Sequence, residues 1–352
     1  MSRLTRFAKK IQVRYRKSIP VNFYQYYQFA PCEMVTVGSR PSPELIQRIK
    51  ASYRRTCREY VPDTTSMWSI IDKMREPIHR ALLADDDSIN EYLYDPSASH
   101  LFYGLDGFPD KNAKLGLDVN TFDKFIRLCE ALGVRKLMNP ESGLPKKLLS
   151  VDVDLELDKI CKALGVDDLT IANPFQYTYG LKTKRGVLNY RTVQCLYQAY
   201  RINQLGGKNT IEIGGGIGRT AYYSMLFGTS AYTIIDLPMT LVCQALFLGQ
   251  TLGENRIRLD GEPDTGQPVQ LLCPTNFPDS TFDVAFNADS LTEMSEQHAV
   301  EYAKCIKKQA SVFLSINHEI NSFTVSSIMG KPTYRFPYWL RKGYAEELYV
   351  LK

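Results

Sequence analysis

A glycine-rich turn with carboxylates near it is the strongest sign of ligand binding in this 352-residue chain. In the sequence IEIGGGIGRT, at 211–220, an apolar strand runs into Gly214, Gly216 and Gly218, which allow a tight backbone turn and close approach of a ligand. A helix that begins after such a turn directs its free amides toward the same ligand. A strand-to-helix turn that binds nothing has the same glycines, so the pattern needs support from its neighbours.

Two carboxylates give that support. Glu212 produces the pattern E-x-G-x-G-x-G, whereas a dinucleotide-binding turn is G-x-G-x-x-G and would need glycine where Arg219 stands. A carboxylate here suits a cation and would repel a diphosphate, which favours S-adenosylmethionine with its ammonium and sulfonium. Asp236 ends the next predicted strand and, with Leu237 after it, is placed to bind ribose hydroxyls. An NAD ribose or a helix cap would also explain Asp236.

Polar side chains follow the later predicted strands as well. Open α/β sheets bind ligands at the carboxyl ends of their strands, so these positions are candidate site residues. After the third strand, Thr275 and Asn276 are expected to reach the adenine. After the fourth, Asn287 is expected to contact the cofactor and Glu293 the substrate. The fourth and fifth strand ends also offer Asp289, Ser290, Asn317, His318 and Glu319. For each of them, a capping or loop role remains an alternative.

Alternating strands and helices are expected to position these residues. The predicted strands are 210–213, 232–235, 269–272, 282–286, 311–316 and 347–351, and the helices between them are 218–227, 238–252 and 295–308. Continuous apolar strands that alternate with helices indicate a parallel sheet covered on both faces. Right-handed crossovers make such a sheet doubly wound, so the predicted fold class is α/β.

The N-terminal half shows helical periodicity without clear strand alternation. Its predicted helices are 43–60, 65–83, 120–133 and 154–164, and Trp68 falls on the apolar stripe of the second. The predicted ranges are an extended basic and aromatic arm at 1–42, a helical domain at 43–170, a linker or substrate loop at 171–190 and a cofactor-binding domain at 191–352.

Composition and charge restrict the class of protein. Hydrophobic residues make up 44% and charged residues 23%, which is typical of soluble globular proteins, and no apolar run is long enough to span a membrane. The eight cysteines form no C-x-x-C pair, so we expect reduced core residues of a cytoplasmic protein. A net charge of +5 does not by itself indicate nucleic acid. The seven Lys and Arg residues of 1–17 indicate a solvated tail, a peripheral membrane or polyanion contact, or a transit peptide.

The chain resembles, from about residue 170 to its C-terminus, the sugar O-methyltransferase family of bacterial polysaccharide biosynthesis. The matching segments are NPFQYTYGLKTKRGVLNYR (173–191), LYQAYRI (196–202), IEIGGGIGRTAYY (211–223), TIIDLP (233–238), FNADSLTEM (286–294) and INHE (316–319), with DPSASHLFYGLD (95–106) in the N-terminal half. The resemblance implies a class I methyltransferase sheet of seven strands, preceded by the helical N-terminal domain. It also implies S-adenosylmethionine as cofactor and methyl transfer to a sugar hydroxyl.

A sugar hydroxyl is a weak nucleophile, so the predicted reaction calls for a general base. Histidine titrates near neutrality, which makes His318 the first candidate. Glu319 or Asp289 would orient its imidazole or act as the base instead. A structural role for this histidine is the alternative. A second hypothesis has Asp289, His318 and Glu319 bind Mg²⁺, which prefers oxygen ligands.

The segment 173–191 is a candidate cover for the acceptor. Tyr179, Arg185, Tyr190 and Arg191 are its predicted substrate-binding residues, and its cations would suit an acidic or phosphorylated sugar. A basic solvated loop is the alternative. Three other classes stay open at this stage: an RNA or protein methyltransferase that contacts a polyanion, a non-catalytic assembly factor with the same fold, and an NAD oxidoreductase. A carbohydrate is the predicted partner, and an oligomer is not excluded.

Overall fold

The computed structural model describes residues 26–28, 30–36, 38–63, 65–66, 68–84, 87–96, 99–102, 114–138, 141 and 146–352. The basic segment 1–17 lies outside the described residues, as does part of the motif at 95–106. The hypotheses about that basic segment therefore stay predictions.

The described residues form helices and strands that we number in chain order. The helices are α1 (Pro43–Glu59), α2 (Trp68–Met74), α3 (Glu76–Ala84), α4 (Ile89–Tyr94), α5 (Lys114–Ala131), α6 (Val153–Leu164), α7 (Tyr190–Gln204), α8 (Arg219–Leu226), α9 (Pro238–Leu252), α10 (Glu296–Gln309) and α11 (Val325–Met329). The strands are β1 (Glu33–Thr36), β2 (Tyr177–Thr183), β3 (Gly186–Leu188), β4 (Asn209–Ile213), β5 (Ala231–Ile235), β6 (Ile257–Leu259), β7 (Val269–Leu272), β8 (Phe282–Ala288), β9 (Ala310–His318), β10 (Tyr334–Pro337) and β11 (Tyr344–Val350).

The described chain divides into two compact units. The first takes its residues from 1–35, 108–171 and 178–194, and the second from 36–107, 172–177 and 195–352. The boundaries of these two units differ from those of the predicted domains. Helices α1 to α4 belong with the second unit, and α5 and α6 belong with the first.

The second unit contains a large twisted sheet, which in the described residues has eight strands in the order β10-β11-β9-β8-β4-β5-β7-β6. Neighbours from β6 to β9 pair in parallel, while β11 runs antiparallel to β9 and β10 antiparallel to β11. The predicted doubly wound, mostly parallel fold is confirmed. The sheet has two strands, β6 and β10, beyond the six that the apolar pattern predicted, and one more than the seven that the resemblance implies. β6 has only three residues and β10 is exposed throughout, so neither shows as an apolar run in the sequence.

The strand register brings the candidate site residues to one edge of this sheet. Ile213 at the end of β4 lies opposite Ile235 of β5, which in turn lies opposite Leu272 of β7. On the other side, Asn287 of β8 lies opposite Ser315 of β9. The carboxyl ends of these parallel strands therefore form a continuous edge, with a buried apolar cluster beneath it.

Helices α1 to α4 cover part of this unit. Helix α1 packs along α9, and a side chain at Gly249 would approach a methyl group of Leu45 to 2.8 Å. The guanidinium of Arg48 donates two hydrogen bonds to Glu262, at 2.7 and 2.8 Å. The predicted single helix at 65–83 is in fact α2 and α3, separated at Arg75. Pro77 has no N–H to bond the carbonyl four residues earlier, so it interrupts one helix and is tolerated in the first turn of the next.

The first unit contains the sheet β1-β2-β3, together with α5 and α6. The predicted linker at 171–190 is therefore wrong in part, since it includes the antiparallel hairpin of β2 and β3. Gly180 hid this hairpin in the sequence because it interrupts the strand pattern. The structure explains that glycine: a Cβ there would lie 2.5 Å from the carbonyl oxygen of Leu188 on the paired strand.

Two further findings concern cysteines and membranes. Each of the eight cysteines lies among the described residues, and none of them forms a disulfide. No helix in the described ranges combines the length and the apolarity that crossing a bilayer requires.

Candidate functional site

The glycine turn after β4 has two crowded positions and one open one. Gly214, Gly216 and Gly218 all have positive φ, at +76°, +58° and +93°. A Cβ at Gly214 would lie 2.1 Å from Oγ of Ser290, and one at Gly218 would lie 2.9 Å from a methyl group of Leu248. A Cβ at Gly216 would meet no atom of the described residues within 4 Å. Gly216 is therefore the position where a ligand can approach the backbone.

Glu212 lies beneath this turn and is only 2% exposed. Its Oε2 accepts a hydrogen bond of 3.0 Å from the hydroxyl of Tyr232 on β5. Burial raises the pKa of Glu212 to about 8, the Tyr232 hydrogen bond opposes that rise, and the charge of Asp236 adds to it. Glu212 is therefore enclosed below the turn and does not stand on its open side.

Asp236 follows β5 and is held against the turn by neutral donors. Its Oδ2 accepts hydrogen bonds from the N–H of Gly215 at 2.8 Å and from Nε2 of Gln244 at 2.7 Å, and its Oδ1 accepts one from the N–H of Leu237 at 2.8 Å. Burial raises the pKa of Asp236 to about 7 in spite of these bonds. Gln244 also donates to the carbonyl of Gly216, at 3.1 Å. Sequence reasoning missed Gln244, which fell inside an apolar helix without any pattern.

Thr275 and Asn276 lie at the same edge, in the short 3₁₀ turn Pro274–Asn276 after β7. The amide nitrogen of Asn276 donates to the buried carboxylate of Asp260 at 2.9 Å, which fixes the orientation of the amide. Thr275 is exposed. Their contact with an adenine stays a prediction, and Asp260 is the partner that sequence reasoning did not identify.

Asn287 makes internal hydrogen bonds that the sequence did not predict. It is fully buried, and its Nδ2 donates to the carbonyl of Ile213 at 2.6 Å. Ser290 donates to the same carbonyl at 2.7 Å, and Nδ2 of Asn317 donates to Oδ1 of Asn287 at 2.7 Å. These bonds tie together the ends of β4, β8 and β9. Asn287 thus has internal partners, and its predicted contact with a cofactor stays a prediction.

Asp289 has a strained backbone at the end of β8. Its φ is +70°, which is uncommon outside glycine and often occurs at functional sites. Its N–H donates to the carbonyl of Ile316 at 3.0 Å, and its Oδ2 accepts a hydrogen bond from Arg341 at 2.6 Å. That guanidinium also lies over the ring of Tyr344, 3.9 Å from the centroid. Asp289 is thus paired with a cation and does not orient His318.

His318 instead faces Glu293. Its Nε2 lies 3.7 Å from Oε1 of Glu293, and the two side chains are 16% and 15% exposed. The imidazole packs edge-on against Tyr344, with centroids 5.6 Å apart. Glu319, the predicted partner, accepts a hydrogen bond of 2.6 Å from Arg335. The structure therefore corrects the pairing, because Glu293 had been assigned to substrate and Glu319 to the imidazole.

This pairing also bears on the magnesium hypothesis. Asp289 and Glu319 each face an arginine, so they do not converge on His318. Among the described residues, no group of three His, Cys, Asp or Glu side chains is arranged to hold a metal ion. The suggested Mg²⁺ site receives no support from this geometry.

Tyr179 and Arg185, two of the predicted substrate residues, make contacts within the first unit. The Tyr179 side chain is buried and its hydroxyl donates to Asp118. Arg185, in the hairpin turn, donates to Asp158 at 2.8 Å and also to Asp168. Both side chains therefore have clear structural uses, and a contact with an acceptor stays a prediction.

Tyr190 and Arg191 begin helix α7 in the same unit. The ammonium of Lys124 lies over the Tyr190 ring, 4.8 Å from its centroid. Nε of Arg191 donates to the Tyr190 hydroxyl at 3.1 Å. The cations of Lys124 and Arg191 thus both contact Tyr190, and an acceptor role for the pair Tyr190 and Arg191 also stays a prediction.

Comparison with known proteins found partial likenesses to solved structures. No family model matches the chain, and no curated protein matches it. The methyltransferase domain of bacterial CtHen1 has 11% identity and a TM-score of 0.35, over 46% of this chain and 100% of that one. Mitomycin 7-O-methyltransferase MmcR has 11% identity and a TM-score of 0.35, over 72% and 75%. Magnesium protoporphyrin IX methyltransferase of Synechocystis PCC 6803 has 10% identity and a TM-score of 0.30, over 45% and 76%. Likeness at this level leaves the chemistry to be argued from the site.

Proposed function

We propose that this protein is an S-adenosylmethionine-dependent O-methyltransferase that acts on a sugar hydroxyl of a nucleotide sugar or surface polysaccharide. The observation that carries the proposal is the pair of carboxylates, Glu212 and Asp236, beside a turn that is open at Gly216. Burial raises the pKa of both carboxyls even against their hydrogen bonds and, at Asp236, against the charge of Arg75, so a cation or further donors would stabilise their charged forms. A sulfonium, an ammonium and two ribose hydroxyls are such groups.

The residues present fit that donor. Asp236 and Leu237 would hold its ribose, and the turn from Gly214 to Gly218 would hold its amino-acid portion through backbone groups. Thr275 and Asn276 would contact the adenine. A pyrophosphate cofactor fits less well, because two buried carboxylates would repel it at this turn.

The catalytic task of the chain is to align two reactants and to accept a proton. The donor, when bound, supplies a methyl group on a positively charged sulfur. His318 is the group that takes the hydroxyl proton of the acceptor, and Glu293 stabilises the resulting imidazolium from 3.7 Å. Arg341 holds Asp289 in its strained conformation beside them. The proposed reaction assigns no further proton transfer to a residue of the chain.

The acceptor class rests on the resemblance of 286–294 and 316–319 to sugar O-methyltransferases. The partly buried polar pair of Glu293 and His318 agrees with a hydroxylated acceptor, which could hydrogen-bond to the imidazole where an apolar one could not. The same resemblance suggests a cytoplasmic step of polysaccharide biosynthesis. The predicted acceptor residues Tyr179, Arg185, Tyr190 and Arg191 remain candidates to recognise the rest of the molecule.

The test has a binding part and a product part. Calorimetry of the purified chain with S-adenosylmethionine should show saturable heat, and NADH should show none. Incubation with the donor and a panel of nucleotide sugars should yield a mass-detected methylated product. Absence of donor binding would refute the methyltransferase proposal. Donor binding with transfer only to RNA or protein would refute the sugar acceptor, and binding without transfer to any of them would indicate a non-catalytic protein.

A further inference from the structure

Helix α2 begins with a tryptophan that reaches the proposed catalytic pair. The indole Nε1 of Trp68 donates a hydrogen bond of 3.2 Å to Oε2 of Glu293, a residue 225 positions later in the chain. The other oxygen of the same carboxylate, Oε1, faces Nε2 of His318 at 3.7 Å. All three residues belong to the second unit. The sequence had placed Trp68 on an apolar stripe, with no sign of this polar contact.

The position of Trp68 is fixed from both ends of its segment. Before it, Asp63 lies 3.2 Å from Nδ1 of His298, near the start of α10, and accepts hydrogen bonds from Thr65 that lower its pKa. After it, the buried guanidinium of Arg75 lies over the indole, 5.8 Å from its centroid. The contacts before and after Trp68 therefore hold its indole N–H toward Glu293.

We propose that Trp68 is a positioning residue of the Glu293–His318 pair. This inference rests on the proposed function. A carboxylate can rotate and present either oxygen, so one donor on Oε2 selects the rotation in which Oε1 faces the imidazole. The tryptophan thereby ties base activation to the docking of α2 on the sheet edge. Trp68 contacts neither the donor nor the acceptor in the proposed reaction, and it acts only through Glu293.

The contact can be tested without any acceptor. In the spectrum of protein labelled with ¹⁵N at the indole nitrogens, the two tryptophans give two N–H signals, which Trp68→Phe and Trp339→Phe assign. Glu293→Gln should move the Trp68 signal, because a charged acceptor becomes a neutral one, and the exposed control Glu296→Gln should not. An unmoved Trp68 signal in Glu293→Gln would overturn the proposal.

The action through Glu293 needs a second readout on His318. Trp68→Phe, which keeps an aromatic ring and removes the indole N–H, should shift the imidazole signals of His318. These are assigned by His318→Gln among the four histidines. The matched control Trp339→Phe should leave them in place. Equal effects of the two tryptophan variants, or none from either, would mean that Trp68 does not position the pair.

Turnover on the acceptor that the panel identifies supplies a double-mutant cycle. Trp68→Phe should lower kcat about tenfold with KM for the donor unchanged, as expected for loss of one hydrogen bond to a charged group. In the Glu293→Gln background the same change should have no further effect, since its route of action is already gone. Additive losses would overturn the proposal. A wild-type chain that binds no donor would instead refute the proposed function and leave the two spectroscopic results standing.

Discussion

The two sides of the candidate site treat their carboxylates in opposite ways. On the glycine-turn side, Glu212 and Asp236 accept hydrogen bonds from neutral donors, and the charge of Arg75 favours the ionised form of Asp236. Burial still raises the two pKa values to about 8 and about 7. On the strand-end side, Asp289 and Glu319 are partly exposed, and each accepts a hydrogen bond of 2.6 Å from an arginine. Neutral donors satisfy lone pairs but leave the charge without a counterion, whereas an arginine supplies both.

This difference indicates where a positive charge would be received. On the turn side, burial disfavours the charged forms of Glu212 and Asp236, and the charge of Arg75 opposes this effect only in part at Asp236. A cationic donor would therefore gain most there. The strand-end side is already balanced, which suits a region that moves one proton between acceptor and base. Variants that change donor binding and turnover separately therefore test this difference between the two sides.

The largest effect is expected at His318. His318→Gln removes the proposed base and should lower kcat about 10²- to 10⁴-fold, because general-base catalysis has that size. Donor affinity should stay unchanged, since the residue belongs to the strand-end side. Turnover assays and calorimetry on the same preparation measure the two quantities. Full activity would remove His318 from the mechanism, and lost donor binding would erase the distinction between the two sides.

Asp236→Asn should weaken donor binding about a hundredfold. The change keeps the size of the side chain but removes the charge that strengthens hydrogen bonds to ribose hydroxyls, which are worth about 1.5–3 kcal/mol each. Calorimetry with S-adenosylmethionine measures the loss. Asp264→Asn, in an exposed loop, is the matched control and should bind like the wild type. Equal affinities for both variants would mean that Asp236 does not face the donor.

Glu212→Gln should stabilise the donor-free protein at alkaline pH while weakening donor binding. The folded carboxyl keeps its proton up to about pH 8, against an ordinary value of 4.5, so its penalty appears as pH rises between these values. An amide avoids that penalty, by on the order of 2 kcal/mol above pH 8. Thermal melts of both proteins from pH 5 to 9 should diverge with rising pH. Parallel curves would show that Glu212 is not destabilised by burial.

Donor affinity of the wild type should itself depend on pH. The carboxyls of Asp236 and Glu212 lose their protons near pH 7 and pH 8, and the charged forms are those that favour a cation. Affinity should therefore rise about tenfold between pH 6 and pH 8, because the charged fraction of a carboxyl with a pKa of about 7 rises about tenfold over that range. Calorimetry in buffers of different ionisation heat would also detect the released protons. An affinity that falls with pH would contradict the assignment of these carboxylates to the donor.

Arg341→Met should have the smallest effect on stability, about 1 kcal/mol or less, because its ion pair with Asp289 is 30% and 26% exposed. Donor affinity should not change. The informative quantity is kcat, which should fall if the strained Asp289 helps to shape the strand-end side. Chemical denaturation and turnover assays measure both. A large loss of donor affinity would show that the arginine-paired side also receives the donor.

Some of the architecture was readable from the chain because it depends on local patterns. Apolar runs followed by polar residues predicted β4, β5, β7, β8 and β9, and the helices between them, to within a few residues. The hairpin of β2 and β3 was not predicted, because the glycine that lets its strands approach also breaks the strand pattern. Short runs such as β6 contain too few residues to show any period.

The residues of the candidate site were likewise predicted only where a local pattern contains them. Glu212, the three glycines and Asp236 are close in sequence, so spacing alone brought them together. Partners that come from far apart could not be found that way: Gln244 on Asp236, Glu293 on His318 and Trp68 on Glu293. The finding that Glu293, and not Glu319, faces His318 has the same cause. Glu319 follows His318 in the chain, but neighbouring side chains after a strand point in different directions.

The sequence alone indicated the doubly wound sheet and a glycine turn with acidic neighbours, because both show in the pattern of residue types along the chain. The folded structure was needed to show which carboxylates are buried with raised pKa values and which accept a hydrogen bond from an arginine. Charge compensation depends on distance in space and on local dielectric, and neither is encoded in spacing along the chain.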